Sequence, residues 1–390
     1  MKRALWILGL LCAALVAFRS TQLATTYRYA DLDRAEAAAS RGDWPAAIAA
    51  ARTALARRPL DGRPYRILAR AAAVHGDERA SSRLLELALH YAPRDVPTRA
   101  LALQRAVLDG NYAAAVRHAD LIARVQPDRT PAVLPILSWL AVTEQGRAEL
   151  ATRLRDRPVW RSAMISYLVA TVPRTDDLVA VMHLIGQSSA LSPAEMSTYL
   201  ERFVTARQWN DAYFAWLNEL PAERRQQLAS PIDGDFERAA ATGSPFEWRL
   251  APAKGVDARI VRRVDSDGHA LKVTFAGSRV AFNGVAQLLL LQPGLEYRLR
   301  WQSRAESLIT ARGLSWELSC AEPPGMNLLT TDPLRGNVVW RQQESVFRVP
   351  ANCPAQWLRL VLQARTPSEM TALGTAWFDQ VVILSNVESP

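Results

Sequence analysis

Three carboxylates in the stretch "IDGDFERAAATGSPFEWRL", which begins at Ile232, are the first candidates for chemistry in this sequence. Asp233, Asp235 and Glu237 alternate along the chain. Two acids that flank a glycosidic bond can hydrolyse it, and hard oxygen ligands of this kind can hold a calcium ion. Acids two residues apart crowd the same side of a strand, which disfavours hydrolysis. A third reading is purely structural, with Asp233 and Asp235 in a turn that Glu237 caps.

Other reactive motifs are missing from the sequence. The five histidines are scattered and form no H-E-x-x-H motif, and there is no C-x-x-C, G-x-S-x-G or phosphate-binding loop. The basic residues lack interleaved aromatic residues, which disfavours a nucleic-acid partner. The sequence therefore predicts a protein that is not an enzyme.

Composition and charge indicate a folded chain with more than one domain. Of the 390 residues, 49% are hydrophobic and 22% are charged, and the formal net charge is +9. The positive excess lies before Pro231, which indicates a basic N-terminal part and a near-neutral C-terminal part. An anionic partner or membrane surface would explain the excess, and so would an arginine-rich helix surface without a ligand.

The N-terminal residues 1–24 are predicted to be a signal-anchor. Lys2 and Arg3 precede an apolar run in "MKRALWILGLLCAALVAFRS", and no A-x-A cleavage site follows. We expect a periplasmic body anchored to the inner membrane, with release after cleavage as the alternative. In an exported protein Cys320 and Cys353 favour a disulfide over two buried thiols.

A period of 34 residues runs through residues 28–129. Its glycine and proline positions recur in step: Gly42, Gly76 and Gly110, and Pro59, Pro93 and Pro127. This pattern resembles the tetratricopeptide repeat, in which each unit is an antiparallel helix pair and the units stack into a solenoid. A degenerate continuation covers residues 130–227, so the predicted α-solenoid spans residues 28–227.

The resemblance also implies a groove lined by the first helix of each unit. It places Arg63, Arg66 and Arg70 of the second unit in that groove, with Gln104 of the third. The three arginines share one helix face by their spacing alone. They predict either a basic cleft for an acidic protein segment or an anionic polymer, or a solvated face.

After Ile232 the hydrophobic period falls to two, and residues 228–390 are predicted to form an antiparallel β-sandwich. The segments "DGDFE", "ALKVTFAG", "VVWRQQESVFRVP" and "TAWFDQVVI" resemble the jelly-roll, galactose-binding-like carbohydrate-binding modules of glycan-degrading enzymes. That resemblance implies a structural calcium ion held by Asp235, Glu237 and Asp379. It also implies a glycan site, for which we select Trp316 and the neighbours Trp340 and Arg341.

An anchor, a helical array and a glycan-module-like sandwich together resemble the accessory proteins of Gram-negative exopolysaccharide systems. The resemblance implies a non-catalytic scaffold whose array docks protein partners and whose sandwich contacts bacterial polysaccharide. Two alternatives stay open: a protein-interaction adaptor with a purely structural sandwich, and a polysaccharide-modifying enzyme.

Overall fold

The computed structural model describes residues 30–225, 229–238 and 243–385, so the predicted anchor 1–24 lies outside them. Helices come first and two antiparallel sheets follow, which confirms the predicted α-then-β order. In the described ranges, no helix is both long and apolar enough to cross a membrane. The chain divides into two compact units, Met1–Arg161 and Ser162–Pro390.

The first unit is helical. Its helices are α1 (residues 30–40), α2 (Trp44–Arg57), α3 (Gly62–Val74), α4 (Glu78–Tyr91), α5 (Val96–Leu108), α6 (Tyr112–Val125), α7 (Thr130–Ala141) and α8 (Glu144–Arg155). Helix α3 packs against α4, and α5 packs against α6, as the 34-residue period predicts.

The repeated glycine makes the turn inside each helix pair. Gly42, Gly76 and Gly110 have φ values of +78°, +78° and +69°. A Cβ atom at these positions would meet nothing within 4 Å. Glycine is therefore required by the left-handed backbone conformation and not by a lack of space. The residue after each glycine caps the next helix, because its side chain accepts a hydrogen bond from a backbone N–H in the first turn.

Small residues and one buried acid hold the helices of this unit together. A Cβ atom on Gly62 would lie 2.6 Å from the carbonyl oxygen of Ala88, so only glycine permits this approach. Asp120 on α6 is 3% exposed. Its carboxylate accepts hydrogen bonds from Arg153 on α8 and, at 2.9 Å, from the indole Nε1 of Trp160. A buried, fully bonded carboxylate of this kind fixes the positions of its partners.

In its described residues, the second unit has five α-helices and ten strands. The helices are α9 (Arg161–Thr171, whose first residue ends the first unit), α10 (Thr175–Ser188), α11 (Pro193–Thr205), α12 (Trp209–Glu219) and α13 (Ala222–Arg225). The strands are β1 (Arg249–Leu250), β2 (Val256–Arg262), β3 (His269–Arg279), β4 (Val285–Leu289), β5 (Glu296–Thr310), β6 (Leu314–Cys320), β7 (Asn327–Thr330), β8 (Gly336–Arg348), β9 (Gln356–Leu362) and β10 (Thr371–Ser385).

The strands form two five-stranded sheets. Sheet A has the order β1-β4-β9-β6-β7, and sheet B has the order β2-β3-β10-β5-β8. All the strand pairings are antiparallel. Inward side chains of both sheets form one hydrophobic core, which includes Trp248, Trp316 and Phe378. This arrangement confirms the predicted antiparallel sandwich.

The last helices belong to the same compact unit as the sandwich, although we expected a boundary near residue 227. Glu322, which follows β6, accepts hydrogen bonds from Arg207 at 3.0 Å and from Trp209 Nε1 at 3.2 Å. Arg224 donates to Glu247 at 2.8 Å. These polar contacts join α12, the turn before it and α13 to the strand region, in the unit that begins at Ser162.

The two C-terminal cysteines are joined. Cys320 ends β6, and its disulfide with Cys353 closes a separation of 33 residues, with the two Cα atoms 5.6 Å apart. Both residues are buried in the sandwich core. The disulfide predicted from the sequence is confirmed.

Candidate functional site

The opening carboxylates lie in a turn that is attached to the last strand. Val381 of β10 donates to the carbonyl of Gly234 at 2.8 Å, and a Cβ atom on Gly234 would lie 1.8 Å from the carbonyl oxygen of Val381. The Asp233 side chain accepts from the backbone N–H of Arg238 at 3.1 Å, inside the same turn. Burial, with Asp235 close by, raises the pKa of Asp233 to about 7. These contacts favour the structural reading of Asp233.

The three residues expected to hold calcium do not act as one ligand set. Both oxygens of Glu237 are used by His269: Oε1 accepts from its backbone N–H at 2.7 Å, and Oε2 lies 2.8 Å from its Nδ1. Asp379 is paired with Arg263 at 2.5 Å. Among the described residues, no group of three or more His, Cys, Asp or Glu side chains is placed to hold a metal ion. The residues present therefore do not fit a shared calcium ion, and a cationic side chain already lies on the carboxylate of the last strand.

Arg263 is the centre of this arrangement, and sequence reasoning missed it. Its guanidinium bonds Asp379 at 2.5 Å and Asp265 at 2.8 Å, and it lies 4.1 Å from the ring centre of Trp340. The hydrogen bonds that Arg263 donates to Asp265 and Asp379 raise its pKa. Burial raises the pKa of Asp379 even so, because desolvation outweighs the ion pair for this carboxylate.

The predicted glycan residues do not form one site. Trp316 is 1% exposed and packs in the core, so its selection was wrong: an inward position on β6 offers no ring to a ligand. Trp340 is half-buried beneath Arg263. Arg341 pairs across the sheet with Ser303, which is buried, and successive residues of a strand point to opposite faces. Trp340 and Arg341 therefore do not share a surface.

The outer face of sheet B carries a different aromatic centre, Trp377. Its neighbours in the chain, Ala376 and Phe378, are buried, so Trp377 points outward. It pairs with Lys272 of β3 on one side and with Arg304 of β5 on the other. The ring centre lies 5.6 Å from Lys272 Nζ and 4.8 Å from the guanidinium carbon of Arg304. Alternation within "TAWFDQ" could have indicated this outward tryptophan.

The residues expected to line a helical groove do not form a free basic surface. The Arg66 side chain is 8% exposed, lies 2.6 Å from Glu36 and 3.4 Å from Asp95, and so is part of a buried ion network. That selection was wrong, because the long-range acids were invisible in the local pattern. Of the others, Arg63 is paired with Asp61 at 2.7 Å, and Arg70 lies 5.5 Å over the Trp44 ring. Gln104 is exposed on α5.

No protein-family model and no curated protein matches this chain. Among solved structures, a CBM4 module is similar at 15% identity with a TM-score of 0.31, covering 40% of this chain and 99% of that one. The CBM22-1 xylan-binding domain from Paenibacillus barcinonensis Xyn10C is similar at 12% identity with a TM-score of 0.27, covering 40% and 94%. Pseudomonas aeruginosa pilF is similar at 12% identity with a TM-score of 0.30, covering 49% and 89%. At these identities and TM-scores, no ligand, partner or function is transferred from these structures.

Proposed function

We propose that this chain is a non-catalytic periplasmic scaffold of an exopolysaccharide synthesis or export system. In this proposal the helices dock protein partners, and the outer face of sheet B contacts the polysaccharide. The observation that carries the glycan contact is the cross-strand row of Lys272, Trp377 and Arg304 on adjacent strands.

The chemistry of this row suits an acidic sugar. A sugar ring offers C–H groups that pack on an indole, and its polar edge needs hydrogen-bond donors. Lys272 and Arg304 place two cations beside the Trp377 ring. The Arg304 side chain is 38% exposed and its acidic neighbour Glu306 is 61% exposed at 3.4 Å. Exposed pairs of this kind are weak, so Arg304 can exchange Glu306 for a carboxylate of the polymer.

Two further observations support the non-catalytic and exported parts of the proposal. Asp233 is bonded within its own turn, and the turn is attached to β10 through Gly234, so these groups serve the fold. The Cys320–Cys353 disulfide is of a kind that persists in oxidising compartments.

Affinity electrophoresis of the full chain tests the glycan contact. The gels contain alginate or xanthan as acidic polymers and dextran as a neutral one. We expect the acidic polymers to retard the chain, and Trp377→Ala to abolish most of the retardation. Trp357→Ala is the matched control, because Trp357 lies on sheet A with Arg249 and Arg359 at 5.6 and 5.1 Å from its ring. Equal losses in both variants would contradict the assignment of the site to sheet B.

The second candidate function is a protein-interaction adaptor whose sandwich is structural. The observation that favours it is that Lys272 and Arg304 already lie over the Trp377 ring, which gives the ring partners without any sugar. Absence of retardation by every polymer in the panel would support the adaptor. The third candidate, a polysaccharide-modifying enzyme, requires that incubation with a polymer releases new reducing ends.

A further inference from the structure

A cleft runs along helices α10 and α12 in the second unit. A cavity of about 500 Å³ is lined by residues of α10, α12 and α13, among them His183, Gly186, Trp216, Glu219 and Arg224. A second cavity of about 290 Å³ shares His183 and Asn218 with the first. The two cavities therefore adjoin at these residues, and together they are called the α10–α12 cleft.

Glu219 is the unusual group in this cleft. Its side chain is 6% exposed, and its ion-pair contact is a single one, from His183 Nδ1 to Oε1 at 3.6 Å. In the part of the chain that the structure describes, no hydrogen bond reaches this carboxylate. A Cβ atom on Gly186 would lie 1.8 Å from Oε2, so the carboxylate rests against the backbone of α10. A buried acid without a hydrogen-bonded partner is costly, and a ligand can supply that partner.

Among the described residues, the titratable and charged groups around Glu219 include no lysine or arginine side chain that is paired with it. His183 faces it from α10, and Tyr199 faces it from α11, with a pKa raised by burial and by the nearby Glu219. Arg224 on α13 lines the cavity but donates to Glu247 at 2.8 Å, and Arg225 lines it with an exposed side chain. Burial raises the pKa of Glu219 to about 8, as expected for an acid that lacks a close cation.

The other end of the cleft is also acidic. Asp176 of α10 and Asp211 of α12 line the second cavity, together with Phe214, which is 61% exposed. An exposed aromatic ring beside carboxylates suits a guanidinium or ammonium group, which can stack on the ring and pair with the acid.

We propose that the α10–α12 cleft binds a basic segment of a protein partner, with one arginine or lysine side chain of that segment paired to Glu219. This inference rests on the proposed docking role of the helices and reverses the charge expected for the partner. Arg63 and Arg66, which were predicted to line a basic groove, are paired with acids of the first unit. Glu219 has no arginine or lysine partner among the described residues.

Fluorescence anisotropy with labelled hexa-arginine tests the proposal on the full chain, and labelled hexa-glutamate is the anionic comparison. We expect hexa-arginine to bind and Glu219→Gln to weaken it at least tenfold. Gly186→Ala is expected to weaken it similarly, because the added methyl group displaces the carboxylate. Glu223→Gln is the matched control, since Glu223 is an exposed acid on α13 that lines neither cavity; it should change affinity less than twofold.

The pH dependence of binding gives a second readout. Only the ionised carboxylate attracts the guanidinium, which stays protonated throughout. Because the pKa of free Glu219 is about 8, affinity should rise about tenfold between pH 7 and pH 9, and Glu219→Gln should remove this rise.

The proposal is overturned if hexa-glutamate binds more tightly than hexa-arginine, or if the wild type and Glu219→Gln bind hexa-arginine equally. It is also overturned if spermidine displaces labelled hexa-arginine as well as unlabelled hexa-arginine does, because that result would indicate a polyamine site. Trp377→Ala should leave peptide binding unchanged, and Glu219→Gln should leave retardation by polysaccharide unchanged. Failure of the glycan contact is thereby distinguished from failure of this cleft.

Discussion

Glu219→Gln is expected to stabilise the protein, and the gain should grow with pH. Glutamine keeps the shape of the side chain but carries no charge at any pH. In the wild type the carboxylate is buried, without a hydrogen bond from the described residues, and its ion-pair contact there is with His183, at 3.6 Å. Ionising Glu219 in the folded protein therefore costs free energy that ionising it in the unfolded chain does not.

The size of the effect follows from the pKa shift. Burial raises the pKa of Glu219 from 4.5 to about 8, and each unit corresponds to about 1.4 kcal/mol. The folded state holds the proton more tightly, so the free energy of unfolding falls as pH rises from about 4.5 to about 8. The free energy of unfolding of Glu219→Gln should be nearly equal to that of the wild type at pH 4.5. It should be higher by about 3 kcal/mol at pH 7 and by about 4 to 5 kcal/mol at pH 9.

Urea unfolding between pH 4.5 and pH 9, followed by tryptophan fluorescence, measures this gain. The wild type, Glu219→Gln and Glu223→Gln are compared at each pH, so that other titrating groups such as Asp233 cancel in the difference. Glu223→Gln should track the wild type. The reasoning is refuted if the gain of Glu219→Gln is independent of pH, or if this variant is less stable at every pH. Either result would mean that the carboxylate is ionised and paired in the folded protein.

Four further changes test the fold and the ion networks. Arg263→Leu leaves a buried carboxylate unpaired and should cost about 3–5 kcal/mol in urea unfolding. Adding CaCl₂ or EDTA to the wild type should leave the Tm unchanged in calorimetry, and a rise in Tm with calcium would support the calcium prediction instead. Asp120→Asn removes the negative charge and replaces one of the two oxygens that accept from Arg153 and Trp160 by an amide donor. It should cost about 3 kcal/mol in urea unfolding. Gly76→Ala should cost about 1 kcal/mol, because alanine is strained at φ +78°, and no change in urea unfolding would contradict this reading of the turn. Cys353→Ser opens a loop of 33 residues and should lower unfolding free energy by about 2–4 kcal/mol, a loss that a reducing agent should reproduce in the wild type.

The features that the sequence predicted well depend on local geometry. A left-handed glycine followed by a capping side chain recurs every 34 residues. The conformation of each such turn is determined by residues that are adjacent in the sequence. The alternation that identified strands is equally local, since the two faces of a strand differ in burial. Cys320 and Cys353 were paired correctly because only two cysteines lie in this part of the chain.

The features that the sequence did not predict depend on contacts between distant residues. Arg263 and Asp379 are 116 positions apart, and Arg66 and Glu36 are 30 apart, so neither pair leaves a local signal. The tryptophans differ from these pairs, because alternation does separate them: Trp316 shares its strand face with Leu314 and Leu318, and Trp377 shares its face with Asp379. The selection of Trp316 rests on its charged neighbour in the chain, Glu317.

The distribution of unpaired charge, more than the total charge, indicates what this protein binds. The net charge of +9 points to an anionic partner, yet an arginine such as Arg66 is neutralised by acids of neighbouring helices. A neutralised charge attracts little, because a ligand must first displace its partner. Glu219 is the opposite case: it is a buried acid whose ion-pair contact, with His183, is long at 3.6 Å, so a cationic ligand displaces little when it pairs with this carboxylate. The same reasoning favours the proposed contact of an acidic polymer with Lys272 and Arg304 on sheet B, where the competing acid Glu306 is exposed and weakly held. One chain can thus present a cationic surface to a polysaccharide and an anionic cleft to a protein, although its overall charge would predict only the first.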